Sequence, residues 1–171
     1  MSGNEIAVKC SGITKAFGGV VANDDINLEV KYGEILALLG ENGSGKTTLM
    51  NMLSGIYHPD KGTIAISGKT VAINSPKDSI ALGIGMIHQH FKLVEVFTAA
   101  DNIVAGTKGS LKGKGAVRDE INKISEQLGL EVDPDKKVYN MSVSEKQTVE
   151  ILKVLYRGAK ILILDEPTAV L

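Results

Sequence analysis

The chain has 171 residues, 43% of them hydrophobic and 23% charged, with a formal net charge of −1. That is a globular composition of single-domain size rather than a disordered one, and without a long basic run it offers no electrostatic footprint for nucleic acid, so no nucleic-acid partner is expected. The lone cysteine, Cys10, excludes an internal disulfide framework and reads as a buried structural thiol.

No apolar run approaches the roughly 18 residues a membrane span needs, and "MSGNEIAVKC" lacks the basic-then-apolar layout of a signal peptide. A soluble, intracellular protein is expected. In chain order, "EIAVKC" and "INLEVKYG" alternate apolar and polar residues as half-buried strands do. "EILALLG" is almost continuously apolar and predicts a strand covered on both faces. It runs into "ENGSGKTTLMNMLSGI", where the period turns helical and places Leu49, Met52, Leu53 and Ile56 on one face. "GTIAISGKTV" predicts a strand hairpin. "SPKDSIALG" predicts a short helix with Ser75 as N-cap, Pro76 at the first position and Gly83 as its stop.

"IGMIHQ" predicts a further strand and "FTAADNIVAG" a helix capped by Thr98. The Gly- and Lys-rich stretch 106–115 predicts a mobile surface loop, not a phosphate binder, because no strand leads into it. "AVRDEINKISEQLGL" predicts an amphipathic helix ending near Gly129. "NMSVSEKQTVEILKVLYRG" predicts another, with capping-box spacing at Ser142 and Glu145 and again at Ser144 and Gln147. "AKILILDEP" is the final predicted strand. Alternating strands and helices after a β-rich beginning predict an α/β fold: a parallel-sheet core with an antiparallel β flap and a helical lobe over about residues 98–158, all within one domain spanning 1–171.

Chemistry concentrates at two places. "GENGSGKT" sets Gly40, Gly45, Lys46 and Thr47 in the spacing G-x-x-x-x-G-K-[ST]. A polyphosphate carries dense negative charge, and a loop that cradles it must turn its N–H groups inward. Gly40, Gly43 and Gly45 permit the required dihedrals and close backbone approach. Lys46 supplies a cation, the Thr47 hydroxyl can ligate Mg²⁺, and the helix that follows points its positive end at the phosphates. Downstream, "ILILDE" delivers Asp165 and Glu166 to the carboxyl end of a predicted core strand, where α/β sheets bind ligands. Asp165 suits holding Mg²⁺ from behind its direct ligands, and Glu166 suits polarising an attacking water.

"GIGMIHQHF", "MSVSEKQ" and "ILILDEPTAVL" follow the phosphate loop in that order, and together they resemble the nucleotide-binding subunits of ATP-binding cassette (ABC) transporters over essentially the whole chain. The stretches 13–64 and 85–103 look most like the importers of simple sugars or nucleosides, whose ATPase chain usually carries two cassettes in tandem. The resemblance implies a transport-coupled ATPase on the inner face of the cell membrane, with ATP and Mg²⁺ as cofactors. Its implied partners are a second cassette and transmembrane permease subunits.

Residue by residue, the resemblance assigns MgATP binding to Gly40, Glu41, Asn42, Gly43, Ser44, Gly45, Lys46, Thr47 and Thr48. Phe17 falls at the aromatic that stacks on adenine, and Ala22 at a small contact beneath the base. Gln89 falls at the glutamine that reaches Mg²⁺ and reports to the membrane domain, while His58, His88 and His90 read as loop residues rather than ligands. Lys46, Gln89 and Glu166 are the implied catalytic set, and Thr47, Gln89 and Asp165 the implied metal set. Residues 141–147 align with the family signature L-S-G-G-Q, in which the serine and the helix N-terminus hold the γ-phosphate bound to the opposite cassette. Ser142 is kept. Val143 and Ser144 stand where glycines are usual, and Glu145 brings a negative charge near a polyanion. By the same resemblance the core strands and the γ-phosphate histidine that follow Leu171 in the family are expected to be missing, leaving an isolated chain without turnover. Two other readings remain open on the sequence: a nucleotide-binding module or degenerate regulatory cassette without turnover, and an ABC ATPase with a task other than transport. A GTPase is disfavoured because no N-K-x-D guanine motif is present.

Overall fold

The computed structural model describes residues 5–88, 91–107 and 113–165. The chain divides into two compact units, Met1–Ile84 and Gly85–Leu171. Gln89, His90 and Glu166 lie outside the described residues, as do residues 108–112 of the Gly- and Lys-rich stretch.

The first unit is built on a four-stranded antiparallel sheet in the order β2-β1-β3-β4, with β1 at Ile6–Phe17, β2 at Val20–Lys31, β3 at Lys61–Ile66 and β4 at Lys69–Val71. Strand β1 and β2 form a long hairpin that turns at Gly18 and Gly19, with Phe17 opposite Val20 and Ala16 opposite Val21. Val8, Cys10 and Ile13 of β1 and Ile64 and Ile66 of β3 are buried. Burial pushes the Cys10 thiol up to about 11, in keeping with the structural role expected for it. Helix α1 occupies Lys46–Leu53 and buries Leu49, Met52 and Leu53. Ile56 does not join that face: the helix closes at Ser54, Gly55 turns the chain away at φ 77°, and Ile56 is exposed. Helix α2, Pro76–Ala81, has the expected cap: the Ser75 hydroxyl accepts the Asp78 N–H.

The segment 34–40 overturns a sequence expectation. It is not a strand, and its apolar side chains stand in the open, Ile35 97% and Leu39 92% exposed. A strand is defined by pairing, and no described strand pairs with this segment. An apolar run by itself therefore leaves it without a ladder.

In the second unit, β5 (Ile84–Ile87) pairs with β6 (Ile161–Leu164), and the chain leaves β6 with the Asp165 N–H donating to the Ile87 carbonyl at 3.1 Å. Three helices supply the apolar interior: α3 (Ala99–Val104), α4 (Lys114–Leu128) and α5 (Val143–Tyr156). Ala99, Ile103 and Val104 pack with Val117, Ile121, Val138, Met141, Val149 and Leu152. Each boundary has a local cause. Thr98 and Asp101 form a reciprocal capping box at α3, Ser142 and Glu145 form another at α5, and Gly129 ends α4 in the left-handed region. Ser144 and Gln147, the alternative pair for the last helix, lie inside α5.

Candidate functional site

The phosphate-loop spacing resolves into a tight turn packed on β2. Gly45 is the N-cap of α1 and lies at φ 86°; a Cβ there would stand 2.2 Å from the Ala22 carbonyl oxygen and 2.8 Å from Asn23 Nδ2. Glycine is therefore required twice over, by the backbone angle and by the strand beneath it. The ammonium of Lys46 bridges the loop, donating to the carbonyls of Gly40 at 2.7 Å and Glu41 at 2.8 Å and to Ser44 Oγ at 3.3 Å. The cation is thus already held where an anion seated in the loop would meet it. No side chain caps α1 and no acid occupies its first turn, so the positive end of the helix is not offset from within. Thr47 is exposed in that turn.

Two strand residues bear on the loop, one of which sequence reasoning named. Ala22, expected beneath the base, has its carbonyl against Gly45. Asn23 was missed; its amide donates to the Gly45 carbonyl at 3.3 Å. Alternation gave no signal for it: Ile26, Leu28 and Val30 set the apolar face of β2, and Asn23 falls on the opposite parity, with the left-handed Asp25 between them.

Phe17 ends β1 and keeps 43% of its surface exposed. Its ring meets Tyr57 edge to face, centroids 5.0 Å apart, and Lys15 Nζ stands 5.4 Å from its centroid. Lys15 is itself fixed by Asp60 at 2.8 Å, and that hydrogen bond, with one from the Ala16 N–H, holds the Asp60 carboxyl below the usual range. A half-open aromatic with one edge buttressed suits stacking on a flat ring. His58, treated as a loop residue, contacts the Ile73 carbonyl through Nδ1 at 3.1 Å.

In the second unit, Asp165 stands just beyond β6. The signature residues lie at the start of α5. Ser142 Oγ accepts the Glu145 N–H at 3.2 Å, and Glu145 Oε2 accepts the Ser142 N–H at 2.8 Å. Glu145 Oε1 takes the ammonium of Lys136 at 2.5 Å. The Lys136 bond first, and then the Ser142 N–H, hold the Glu145 carboxyl down from 4.5 to about 2. The acid expected to burden a polyanion site is therefore paired within its own unit. Val143 and Ser144 are exposed beside it. Among the described residues no group of three or more His, Cys, Asp or Glu converges as a ready-made metal cage.

A glycine turn opening a helix, with a lysine held across it, is the layout that phosphate-binding loops share, and the comparisons fix the family. The ABC transporter family model matches residues 23–169, and the chain belongs to that family. It is 53% identical to the nucleoside import ATP-binding protein NupA of Lactococcus lactis, with 98% of this chain and 34% of that protein covered. It is 54% identical to the guanosine import ATP-binding protein NupO of Bacillus subtilis, covering 98% and 33%. The chain thus spans about a third of the length of these relatives. Among solved structures it superposes on cbiO1 from Clostridium perfringens, part of the ABC transporter complex cbiONQ, at TM-score 0.83 and 30% identity, covering 98% of this chain and 68% of that one. On an ATP-binding cassette of an ABC transporter in its ADP conformation the TM-score is 0.84 at 27% identity, covering 97% and 70%. These cassettes bear out the expected P-loop α/β fold with its antiparallel β sheet and helices.

Two outcomes follow. Gly45→Ala forces a left-handed alanine against the Ala22 carbonyl; it should cost more than about 2 kcal/mol in urea unfolding and abolish titration with a fluorescent ATP analogue. The Glu145 carboxyl titrates lower folded than unfolded, so its stabilisation is whole above about pH 4.5 and is lost as pH falls toward about 2. Lys136→Met removes the first cause. The Tm gap between the parent and Lys136→Met should be modest, because the pair is partly open to solvent, widest above pH 4.5, and should close on acidification.

Proposed function

We propose that this cassette binds MgATP and, with a second cassette, hydrolyses it to drive import of a nucleoside or sugar through membrane permease subunits, on the cytoplasmic face of the membrane. The observation that carries the reading is the phosphate loop. Its lysine is held across the mouth by the Gly40 and Glu41 carbonyls, over a helix start that no side chain caps. The printed names of two relatives, nucleoside and guanosine import ATP-binding proteins, support the choice of solute class. That no described helix is long and apolar enough to cross a membrane accords with separate permease subunits.

In this reading residues 40–48 bind the phosphates and Phe17 stacks on the base, with Ala22 beneath it. Thr47, Gln89 and Asp165 are hard oxygen donors that fit Mg²⁺, which would neutralise the phosphate charge when bound. Glu166 positions the attacking water, and Gln89 links the site to the permease. Residues 1–171 serve as one cassette whose helical lobe spans about 98–158.

Ser142, Val143, Ser144 and Glu145 face the ATP of the opposite cassette. Ser144, where the family usually carries glycine, favours an asymmetric protein. Its competent site uses Lys46 and Glu166 of this half and the other half's signature. It also keeps open the reading of a nucleotide-binding module without turnover.

The test pairs binding with turnover. Lys46→Ala removes charge-assisted contacts worth about 1.5–3 kcal/mol each, so ATP affinity by calorimetry should fall at least about tenfold; unchanged affinity removes the phosphate-loop assignment. In the full-length protein Glu166→Gln should leave only a small fraction of steady-state ATPase activity. Full activity would move the competent site to the other half, and ATP binding without any turnover in the parent would select the non-hydrolysing module.

A further inference from the structure

Asn23 is buried in β2, 5% exposed. Its Nδ2 donates to the Gly45 carbonyl, while its Oδ1 is buried with no hydrogen-bond partner among the described residues. The amide is not reversible in this setting, because a flip would press Oδ1 against the Gly45 oxygen. Nor does the Gly45 carbonyl need it: that oxygen already accepts the Leu49 N–H at 3.0 Å, the first intrahelical bond of α1. In stability alone Asn23 is a liability. It adds a redundant donor and leaves an acceptor unmet, where an apolar side chain of the same shape would leave none.

What the contact does is geometric. The Gly45 carbonyl and the Lys46 N–H belong to one planar trans peptide and point in opposite directions. The Gly45 oxygen sits between the Leu49 N–H and the Asn23 amide, and the second contact restrains that peptide plane from swinging and with it the direction of the Lys46 N–H. The Ala22 carbonyl bars Gly45 from moving inward, since it stands where a Cβ would be. The geometry points to Asn23 as a positioning residue for the phosphate loop: its amide grips the Gly45 carbonyl and so aims the Lys46 N–H at a bound polyphosphate. This rests on the phosphate-loop reading above and adds to it a residue outside the motif.

A positioning role and a packing role predict effects of different sign. Asn23→Leu removes both the donor and the unmet acceptor at nearly constant shape. Thermal unfolding of the chain should show an unchanged or higher Tm, while affinity for a fluorescent ATP analogue with Mg²⁺ should fall roughly three- to tenfold, the worth of one lost orienting bond. Asn23→Ala, which lowers Tm by leaving a cavity, should show the same loss of affinity, so the test survives if the Leu variant folds poorly. Lys46→Ala is measured alongside. Unchanged affinity in both Asn23 variants, with binding lost in Lys46→Ala, overturns the positioning role and leaves the phosphate-loop reading standing. A fall in Tm for Asn23→Leu with affinity intact marks the residue as structural and likewise overturns it. Normal binding by Lys46→Ala removes the phosphate-loop reading and this inference together.

Discussion

Everything in the first unit is arranged around the absence of a side chain at residue 45. The loop can bear on β2 because its glycine takes φ 86° and leaves room for the Ala22 carbonyl. The β1–β2 hairpin places Phe17 opposite Val20, two residues before Ala22, so one hairpin carries both an exposed aromatic and the floor of the loop. The register shifts along that hairpin, between Ile13 and Lys15 and between Lys15 and Ala16, do not disturb its last pairs. A slip of one residue there would send Phe17 to the other face of the sheet. The hairpin, rather than the loop, sets the spacing between Phe17 and the turn at Gly45.

The two helix starts show how one physical resource is used in two ways. Both α1 and α5 carry the partial positive charge of unpaired N–H groups. At α1 no side chain intervenes, and the nearest charge is the Lys46 cation held by loop carbonyls. At α5 the field is largely answered from within: Ser142 takes the Glu145 N–H, Glu145 takes the Ser142 N–H, and Lys136 balances the carboxylate. The hydroxyl proton of Ser142 is not used by that cap, because the oxygen acts there as acceptor. A start so arranged can meet an anion with a single directed donor, whereas α1 meets it with a diffuse field and a full charge.

What the sequence disclosed was what short range decides. The cap at Thr98, the capping box at Ser142, the proline start at Pro76 and the glycine stop at Gly129 are set by residues within a turn or so, and each formed. The phosphate loop was legible for the same reason: the pattern is contiguous and its glycines answer local angles. Segment 34–40 was misread because a strand exists only through a neighbour, which the apolar run itself does not specify. Ile56 was misread because Gly55 ends the helical period one residue before it. Asn23 and Lys136 escaped notice because their partners stand 22 and 9 residues away. Gln89 and Glu166, named through resemblance, lie outside the described residues.

Helix α5 also anchors a segment away from its own N-terminus. Two turns in, the carboxyl group of Glu150 is buried, 5% exposed, and its Oε1 accepts the Lys92 N–H at 2.6 Å. Lys153, one turn further on, donates to the Lys92 carbonyl at 2.8 Å and lies 3.4 Å from Glu150. Asn102 of α3 repeats the device two residues along, accepting the Val94 N–H at 2.7 Å and donating to its carbonyl at 3.0 Å. A strand neighbour would satisfy these groups by a ladder; here side chains do it, so the segment after β5 is held without becoming part of a sheet. Burying an ion pair is a poor way to gain stability, since desolvation offsets the attraction. It does fix a backbone at one register, because each member is satisfied only when Lys92 presents both its N–H and its carbonyl. A shift of α5 along its axis that left the chain at Lys92 behind would break both of these hydrogen bonds and leave a buried carboxyl short of a partner. In this unit the helix that begins at Ser142 is tied to the backbone of Lys92 at both its N–H and its carbonyl.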